Sequence, residues 1–250
     1  MTEHAIVRSP PSSFRGCISS HPLLHTLDLT VAIKQHQEYC RTLNELGLEI
    51  IRLPVDEAHP DSCFVEDTVV IHRDKAVITR MAKESRRGEE EQVEEILREY
   101  KRLRRIQDPA TIEGGDVIHL EKYLISGITE RTNHEGVFQT SDMLRTRIEV
   151  VEDPTIVHLK SHVTFLGAGT FVVTQRFADH PLLRKYRRLV VPADEAYAAN
   201  TLAIDNVILM SEKHPKSIQL LKEAGFDIVP VEMSEFEKCE GALTCLSITF

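Results

Sequence analysis

Pairs of short apolar segments, each joined by a tight polar turn, recur along the chain at a nearly constant spacing. The pairs are residues 69–72 with 76–79, 117–120 with 123–126, 163–166 with 170–174, and 202–204 with 207–210. Two β-type segments separated by a few turn residues predict a β-hairpin. With the segment around Cys245 included, the first strands begin roughly 39 to 48 residues apart, a period typical of propellers and other repeat arrays.

Helical segments and further strands complete the repeat. Helices are predicted at residues 88–104, 134–145 and 215–224, and strands such as 148–151 and 227–231 follow them. The N-terminal strand 5–8, helix 30–46 and strand 49–53 supply the missing pieces of a fifth repeat. The sequence therefore predicts a closed α/β ring of five strand-strand-helix-strand repeats, without exposed sheet edges. No Pro/Gly/Ser-rich linker interrupts the series, so residues 1–250 are predicted to form one domain.

Charge argues against a nucleic-acid partner. The 250-residue chain has a formal net charge of −9, which repels a phosphate backbone on average. One basic cluster, residues 101–105, ends a segment that begins with glutamates, and we interpret it as the solvated end of the helix 88–104. The chain also lacks the glycine-rich phosphate-binding patterns of nucleotide sites, so no nucleotide cofactor is expected.

The cysteines and the N-terminus suggest a cytoplasmic protein. Five cysteines are scattered without a C-x-x-C pair, and we expect reduced thiols. Residues 1–11 show no basic-then-apolar signal region, and no run of roughly 18 apolar residues is present. We therefore expect a soluble, unsecreted protein without a membrane partner.

Two residues are candidates for nucleophile and proton carrier. In residues 241–250 an alternating pattern places Cys245 on a polar face, although a lone cysteine is more often a small core residue. His158 also points away from its apolar neighbours in an alternating segment, and a histidine can protonate a leaving amine and then activate water. The alternative is an incidental surface histidine among the 12 in the chain. His158 and His162 lack an H-E-x-x-H motif, so no metal is expected.

Two acidic clusters, residues 61–67 and 113–116, precede predicted strands. Each alone is compatible with solvated turn residues. Carboxylates at strand entrances are costly unless they are paired, so the two clusters together favour the binding of a cation.

Six short motifs, taken in order, resemble the dimethylarginine dimethylaminohydrolases of the guanidino-group-modifying, or pentein, superfamily. They are Phe64-Val65-Glu66-Asp67, Ser85-Arg86-Arg87, Glu113-Gly114-Gly115-Asp116, Arg131-Thr132-Asn133, His158-Leu159-Lys160 and Thr244-Cys245-Leu246-Ser247. Their order and spacing match across essentially the whole chain. The resemblance implies a five-bladed α/β propeller with the substrate in its central channel, in agreement with the number of repeats.

The resemblance also implies roles for individual residues. Cys245 is the expected nucleophile and His158 the general acid and base, with Glu113 orienting the imidazole. Glu66 and Asp67 are expected to hold the guanidinium group of the substrate. Two carboxylates beside a planar cation make physical sense for this task.

The remaining implied contacts recognise a free amino acid. Arg86 and Arg131 are expected to hold the α-carboxylate, and Asp61 to receive the α-ammonium group. Main-chain groups at the positions of Cys17 and Cys239 are expected to contact the substrate. Family members usually have aliphatic residues at both positions, so these two cysteines depart from the family pattern.

The predicted reaction is hydrolysis of Nω-methylated arginine, either asymmetric dimethylarginine or monomethylarginine, to citrulline and a methylamine through a covalent intermediate on Cys245. No cofactor is implied, and the chain is compatible with a homodimer. An arginine deiminase-like hydrolase that releases ammonia is the nearest alternative. A non-catalytic ribosome-binding propeller is a second alternative, which both the complete catalytic set and the acidic charge oppose.

Overall fold

All of the predicted hairpins form, and they are parts of five three-stranded sheets. The computed structural model describes residues 2–250. Its strands, in chain order, are β1 (His4–Val7), β2 (Glu49–Arg52), β3 (Val69–His72), β4 (Lys75–Ile78), β5 (Arg102–Arg105), β6 (Val117–His119), β7 (Leu124–Ile128), β8 (Ile148–Glu152), β9 (Val163–Gly167), β10 (Thr170–Val173), β11 (Arg187–Val190), β12 (Leu202–Ile204), β13 (Val207–Ser211), β14 (Asp227–Val231) and β15 (Ile248–Thr249). The α-helices are α1 (Leu29–Glu45), α2 (Glu91–Leu97), α3 (His134–Leu144), α4 (Pro215–Glu223) and α5 (Ser234–Glu237).

The five sheets have the same strand order and polarity. In β3-β4-β5, β6-β7-β8, β9-β10-β11 and β12-β13-β14, the first two strands are antiparallel and the third is parallel to the second. The fifth sheet, β15-β1-β2, repeats this pattern with one strand from the C-terminal end of the chain. Ala5 is paired with Thr249 across the closure. The fold is therefore the predicted five-bladed α/β propeller, closed by its two chain ends.

Apolar contacts hold neighbouring blades together. One buried cluster contains Ile6 and Ile248 from the closing blade together with Val69 and Ile78 from the next. Helix α1 covers the closing blade, and its N-terminal N–H groups are capped by the side chain of Asp28. The sequence alternation thus buries one face of each strand against an adjacent unit, which no isolated blade could do.

The basic cluster is not a helix end, and this part of the sequence interpretation is wrong. Helix α2 ends at Leu97, and residues 102–105 form β5, the outer strand of its sheet. Residues 102–105 form a strand because they hydrogen-bond to β4. The run of arginines is tolerated there, since the side chains of an edge strand face solvent. Arg105 donates to Glu90 and Glu94, so part of the basic charge is paired locally.

Two further segments differ from the repeat pattern. Between β10 and β11 the chain forms 3-10 helices, Gln175–Phe177 and Pro181–Leu183, instead of the expected α-helix. The predicted alternating strand through Cys245 is also wrong, because Thr244–Leu246 is a 3-10 helix and β15 contains only two residues. The candidate nucleophile therefore lies on a turn at the entrance to its strand.

The first strands of all five sheets line a common cavity of about 520 Å³ along the propeller axis. A 3-10 helix precedes each of these strands: Val65–Thr68, Gly114–Asp116, Leu159–Ser161, Ala193–Ala199 and Thr244–Leu246. Equivalent turns from different blades are thereby brought to one end of the axial cavity. Within residues 2–250, no helix is both long and apolar enough to cross a membrane.

Candidate active site

The candidate site is built on four of these five equivalent turns. They carry Glu66 and Asp67, the backbone of Gly114–Asp116, the entrance residue His158, and Cys245. The turns pack closely, since a Cβ atom at Gly115 would lie 2.8 Å from Asp67 Oδ1 and 2.8 Å from His158 Nδ1. Only glycine fits between this carboxylate and this imidazole. Gly115, within the acidic cluster 113–116, therefore leaves room for the side chains of Asp67 and His158.

The imidazole of His158 is held by a carboxylate. His158 Nε2 lies 2.8 Å from Glu113 Oε2 and 3.7 Å from Asp67 Oδ1. Burial alone would lower the pKa of His158, but Asp67, the hydrogen bond to Glu113 and the charge of Asp116 together raise it to about 9. The imidazole is consequently a cation at neutral pH and carries a proton available to a leaving group.

Cys245 is a buried free thiol in an acidic field. Burial and the negative charges of Glu66 and Asp67 raise the pKa of Cys245 to about 12. The sulfur is therefore protonated at neutral pH in this state. A cation placed against the two carboxylates would cancel part of their field and favour the thiolate.

The two carboxylates of the 65–68 turn have different surroundings. Asp67 accepts hydrogen bonds from the Gly115 N–H at 3.0 Å and from Arg86 Nη1 at 2.9 Å. Burial opposes its ionisation, but the charges of His158 and Arg86 lower the pKa of Asp67 to about 2. Glu66 Oε1 accepts a hydrogen bond from Lys160 Nζ at 2.6 Å.

The second oxygen of Glu66 is a free acceptor. Its Oε2 atom is buried and has no partner at hydrogen-bond distance within the part of the chain that the structure describes. Burial raises the pKa of Glu66, against the opposing effects of Lys160 and of the nearby Thr244 hydroxyl. A buried carboxylate oxygen without a donor is unfavourable unless a ligand supplies one. This atom is therefore suited to an incoming N–H group.

Arg86 and Arg131 both lie beside buried carboxylates of the site, but they differ in the number of N–H groups left free to donate. Arg86 donates from Nε and Nη2 to Glu89, at 3.1 and 2.8 Å, and from Nη1 to Asp67. Arg131 lies 3.7 Å from Glu113 through Nη1, and both its Nε and Nη1 are buried without a hydrogen-bond partner among residues 2–250. Arg131 is thus the freer of the two cations toward an added carboxylate.

Cys17 and Cys239 form a disulfide bond, which contradicts the expectation that all five cysteines are reduced thiols. This pair could not be predicted from local sequence patterns, because the residues are 222 positions apart and only closure of the ring brings them together. The bond joins the loop after the 3-10 helix Ser12–Gly16 to the end of α5. The next backbone N–H, that of Ile18, lies 3.2 Å from each oxygen of Asp61.

Three side chains in or near the motifs contribute more than the sequence indicated. Lys160 is paired with Glu66, and Glu89 neutralises Arg86, with burial raising the pKa of Glu89 to about 7. Asp116 is buried and accepts a hydrogen bond from the Leu159 N–H at 2.8 Å. Lys160 and Asp116 lie inside the quoted motifs, so their positions were visible, but their partners were not.

Asp67, Glu113 and His158 also offer three possible metal-ligand atoms within 4.8 Å of one another. Arg86 and Arg131 already lie beside these carboxylates. The charges are thereby balanced by guanidinium groups and a protonated imidazole, which disfavours a divalent cation at the same place.

One end of the five-bladed α/β propeller thus carries a thiol and a protonated imidazole, together with paired carboxylates and two buried guanidinium groups. This arrangement defines the guanidino-group-modifying class of hydrolases. The comparisons with known proteins agree. A family model described as "N,N dimethylarginine dimethylhydrolase, eukaryotic" matches residues 25–175.

Individual relatives match over nearly full length. The chain is 33% identical to N(G),N(G)-dimethylarginine dimethylaminohydrolase of Pseudomonas aeruginosa, with 100% of both chains covered. It is 34% identical to the protein of the same name from Streptomyces coelicolor, with 99% of this chain and 96% of that protein covered. A crystal structure of a mutant P. aeruginosa enzyme complexed with citrulline superposes with a TM-score of 0.96 at 32% identity over 100% of both chains. This chain belongs to the dimethylarginine dimethylaminohydrolase family.

Proposed function

We propose that this protein hydrolyses Nω-methylated arginines, both asymmetric dimethylarginine and monomethylarginine, to citrulline and the corresponding methylamine. The observation that carries the proposal is a matched pair of unsatisfied groups, the Glu66 Oε2 acceptor and the Arg131 Nε and Nη1 donors. A free arginine derivative supplies the complement to both, since it has a guanidinium group at one end and an α-carboxylate at the other. The relatives named above act on or bind this kind of molecule.

Substrate binding begins with the two charged ends. The guanidinium group lies against Glu66 and Asp67, and the planar cation donates to carboxylate oxygens. Arg131 pairs with the α-carboxylate, and Arg86 adds its positive charge and one remaining Nη1–H. Asp61 receives the α-ammonium group.

Main-chain groups at Cys17 and Cys239 complete the contacts to the amino-acid end. Both residues are nearly fully buried. Their backbone contacts are compatible with the cysteine side chains, since these are occupied by the disulfide.

The bound cation prepares the nucleophile. The pKa of the Cys245 thiol is about 12 because of burial and the charges of Glu66 and Asp67. The positive guanidinium group counters these charges, so the thiol releases its proton to solvent water when substrate is present. The thiolate then attacks the guanidinium carbon and forms a carbon–sulfur bond.

His158 transfers the protons of both half-reactions. The imidazolium, with a pKa of about 9, protonates the departing methylamine as the carbon–nitrogen bond breaks. The neutral imidazole then removes a proton from water, which attacks the thiouronium carbon. Breaking of the carbon–sulfur bond releases citrulline, and the departing sulfur takes the hydroxyl proton of the tetrahedral intermediate, so that the thiol is restored while the imidazolium keeps the proton taken from water. Glu113 keeps the imidazole in the orientation required by both steps.

A competition assay tests the substrate assignment. Equal concentrations of asymmetric dimethylarginine, monomethylarginine and arginine are supplied together, and citrulline, methylamines and ammonia are quantified. We expect methylamines to exceed ammonia. Contacts to one methyl group are worth only about 1 to 3 kcal/mol, so the same machinery could prefer arginine. A higher kcat/KM for arginine would replace the proposal by an arginine deiminase activity, and no citrulline from any substrate would reject both.

We further infer that residues 1–250 act as one cytoplasmic catalytic domain on a small molecule, without nucleic acid or membrane, either as a monomer or as a homodimer. All five blades contribute to the axial cavity, which supports a single functional unit. The net charge of −9 disfavours nucleic acid. Gel filtration with light scattering measures the oligomeric state, and an electrophoretic shift with DNA or RNA would contradict the absence of nucleic-acid binding.

A further inference from the structure

The Cys17–Cys239 disulfide crosses the boundary between two segments that reach the site from opposite ends of the chain. Cys17 begins the substrate loop, defined here as residues 17–20, and Cys239 follows α5 and precedes the turn that carries Cys245. The two Cα atoms are 5.9 Å apart, and the side chains are 5% and 3% exposed. The bond therefore lies between a substrate-binding segment and the nucleophile segment.

Other contacts across this boundary are polar and weaker. Ser19 Oγ donates to the Lys238 carbonyl at 2.8 Å, and Ser20 donates from Oγ to Glu240 Oε1 at 2.6 Å. The Ser20 contact is exposed, so water competes for both partners. Within residues 2–250, the disulfide is the one covalent cross-link between the substrate loop and the 238–240 segment.

The loop has a direct effect on a proposed binding residue. The Ile18 N–H lies 3.2 Å from both oxygens of Asp61, which is itself 6% exposed. If the loop moves away, Asp61 loses this donor and the orientation it imposes. The catalytic groups are not attached to the loop, because Glu113 and Asp67 are held by other partners.

We propose that the Cys17–Cys239 disulfide is a redox-sensitive positioning element for substrate binding. In the disulfide form the substrate loop is fixed against the 238–240 segment, and Asp61 is oriented toward the α-ammonium group. In the dithiol form the loop loses its covalent bond and is held by its polar contacts and by the packing of Cys17 in the apolar core, so part of its immobilisation costs binding free energy. This inference rests on the proposed function, because it assigns the bond to the amino-acid end of that substrate.

The redox step is an ordinary thiol–disulfide exchange. A dithiol reductant supplies two electrons, the Cys17–Cys239 sulfur–sulfur bond is replaced by two thiols, and the reductant becomes a disulfide. The reverse reaction consumes a disulfide oxidant. Disulfides in a reducing cytoplasm are usually transient or redox-sensing, so a reversible bond agrees with the proposed location.

The test measures citrulline binding to a Cys245→Ser variant, in which the nucleophilic thiol cannot react with the reagents. Thiols are counted after denaturation, with and without dithiothreitol, and citrulline affinity is measured in each state by calorimetry. In the Cys245→Ser protein we expect the count to rise by two on reduction, because only Cys17 and Cys239 are bonded. We expect the dissociation constant to rise about three- to tenfold, the range for ordering one or two side chains.

Cysteine substitutions separate the bond from other effects of the reductant. In the Cys245→Ser background, Cys17→Ala with Cys239→Ala should bind citrulline as weakly as the reduced protein and should not respond to dithiothreitol. Cys40→Ala is the matched control, because this buried free cysteine lies in α1 and outside the site. It should retain the full response.

Turnover provides a readout that a loss of folding would not imitate. In the protein with Cys245 intact, reduction should raise KM for methylarginine about three- to tenfold and leave kcat within about twofold, because the loop carries no catalytic group. An alkylguanidine without an α-ammonium group should show no change in KM.

The possible results distinguish the two proposals. No increase in thiol count on reduction, or equal citrulline affinity in both redox states, overturns the positioning role. A parallel loss of kcat and affinity also overturns it. If citrulline binds in neither state and methylarginine is not hydrolysed, the proposed function itself is wrong and the inference is rejected with it.

Discussion

Replacing Glu113 with glutamine removes one negative charge from His158 while conserving shape. Glu113 is fully buried, its Oε2 lies 2.8 Å from His158 Nε2, and its Oε1 accepts the Ala82 N–H at 3.1 Å. The amide oxygen of glutamine can keep the Ala82 contact, so the local fold should persist. The variant therefore tests the electrostatic role of the carboxylate.

The magnitude follows from the type of hydrogen bond. A hydrogen bond to a charged group is worth about 1.5 to 3 kcal/mol, and a change of one in pKa corresponds to about 1.4 kcal/mol. Glu113→Gln should therefore lower the pKa of His158 by about one to two, from the parent value of about 9. Asp67 remains 3.7 Å from His158 Nε2, so its charge continues to raise the pKa of His158 in the variant.

The direction of the pH dependence is fixed by the proposed proton transfer. The imidazolium is the general acid, so the activity that depends on it is present below the pKa of His158 and is lost as pH rises through that value. The descending limb of log kcat against pH should move from near 9 in the parent to about 7 or 8 in Glu113→Gln. Turnover at about pH 6 should change much less than turnover at about pH 9.

The assay is citrulline formation at saturating substrate between about pH 6 and about pH 10.5, with NMR titration of the His158 imidazole as an independent measurement. Glu130→Gln is the matched control, because this carboxylate lies 3.9 Å from Arg131 but is half exposed and paired with Lys83. An unshifted descending limb and an unshifted imidazole titration in Glu113→Gln would refute the role assigned to Glu113.

Four other substitutions test the remaining roles. Cys245→Ser should fold normally but lose turnover by about three orders of magnitude or more in steady-state assays, because a hydroxyl is a poor nucleophile at neutral pH. His158→Ala should bind substrate but turn over at least about a hundredfold more slowly in single-turnover experiments. Arg131→Ala should raise KM for methylarginine and affect an alkylguanidine without a carboxylate much less. Arg86→Ala should show the same substrate dependence and, in addition, lower the free energy of unfolding in urea by about 3 to 5 kcal/mol, because it leaves buried carboxylates unpaired. Near-parental values in any of these assays would remove the residue from its assigned role.

The hairpins and the ring could be predicted from the sequence because they depend on short-range patterns and a repeated spacing. The turn between β3 and β4 is only two residues long, and its strands have β-branched residues. The error at residues 98–104 has a different origin. A local charge pattern there favoured helix, but sheet pairing with β4 outweighed it.

The chemical residues of the site were predictable from short motifs, whereas their pairings were not. The disulfide joins residues 222 positions apart, and the Glu66–Lys160 ion pair joins different blades. Such contacts depend on the relative placement of whole blades. Local periodicity in the sequence carries no information about this placement of blades. The spacing between motifs could therefore indicate a common site, but not which atoms are in contact.

Motif residues without a chemical role stabilise the turns that carry the chemistry. Asp116 accepts hydrogen bonds from the hydroxyls of Thr129 and Thr132, at 2.8 and 2.6 Å, and from the Leu159 N–H. One buried carboxylate thereby connects the loop before Asn133 to the turn that follows His158, the proposed general acid and base. Loss of these donors would leave an unsatisfied charge beside that turn, which is costly in a buried position.

Ser247 has the equivalent role at the nucleophile. Its hydroxyl lies 2.7 Å from that of Tyr39, and Tyr39 also donates to the Leu243 carbonyl at 3.0 Å. Helix α1 therefore fixes both sides of the short 3-10 turn that contains Cys245. Because the turn is too short to be rigid by itself, the position of the sulfur depends on this helix in the closing blade. That dependence requires the N-terminal strand and helix to be in place before the C-terminal motif can act, so catalysis is a property of the closed ring.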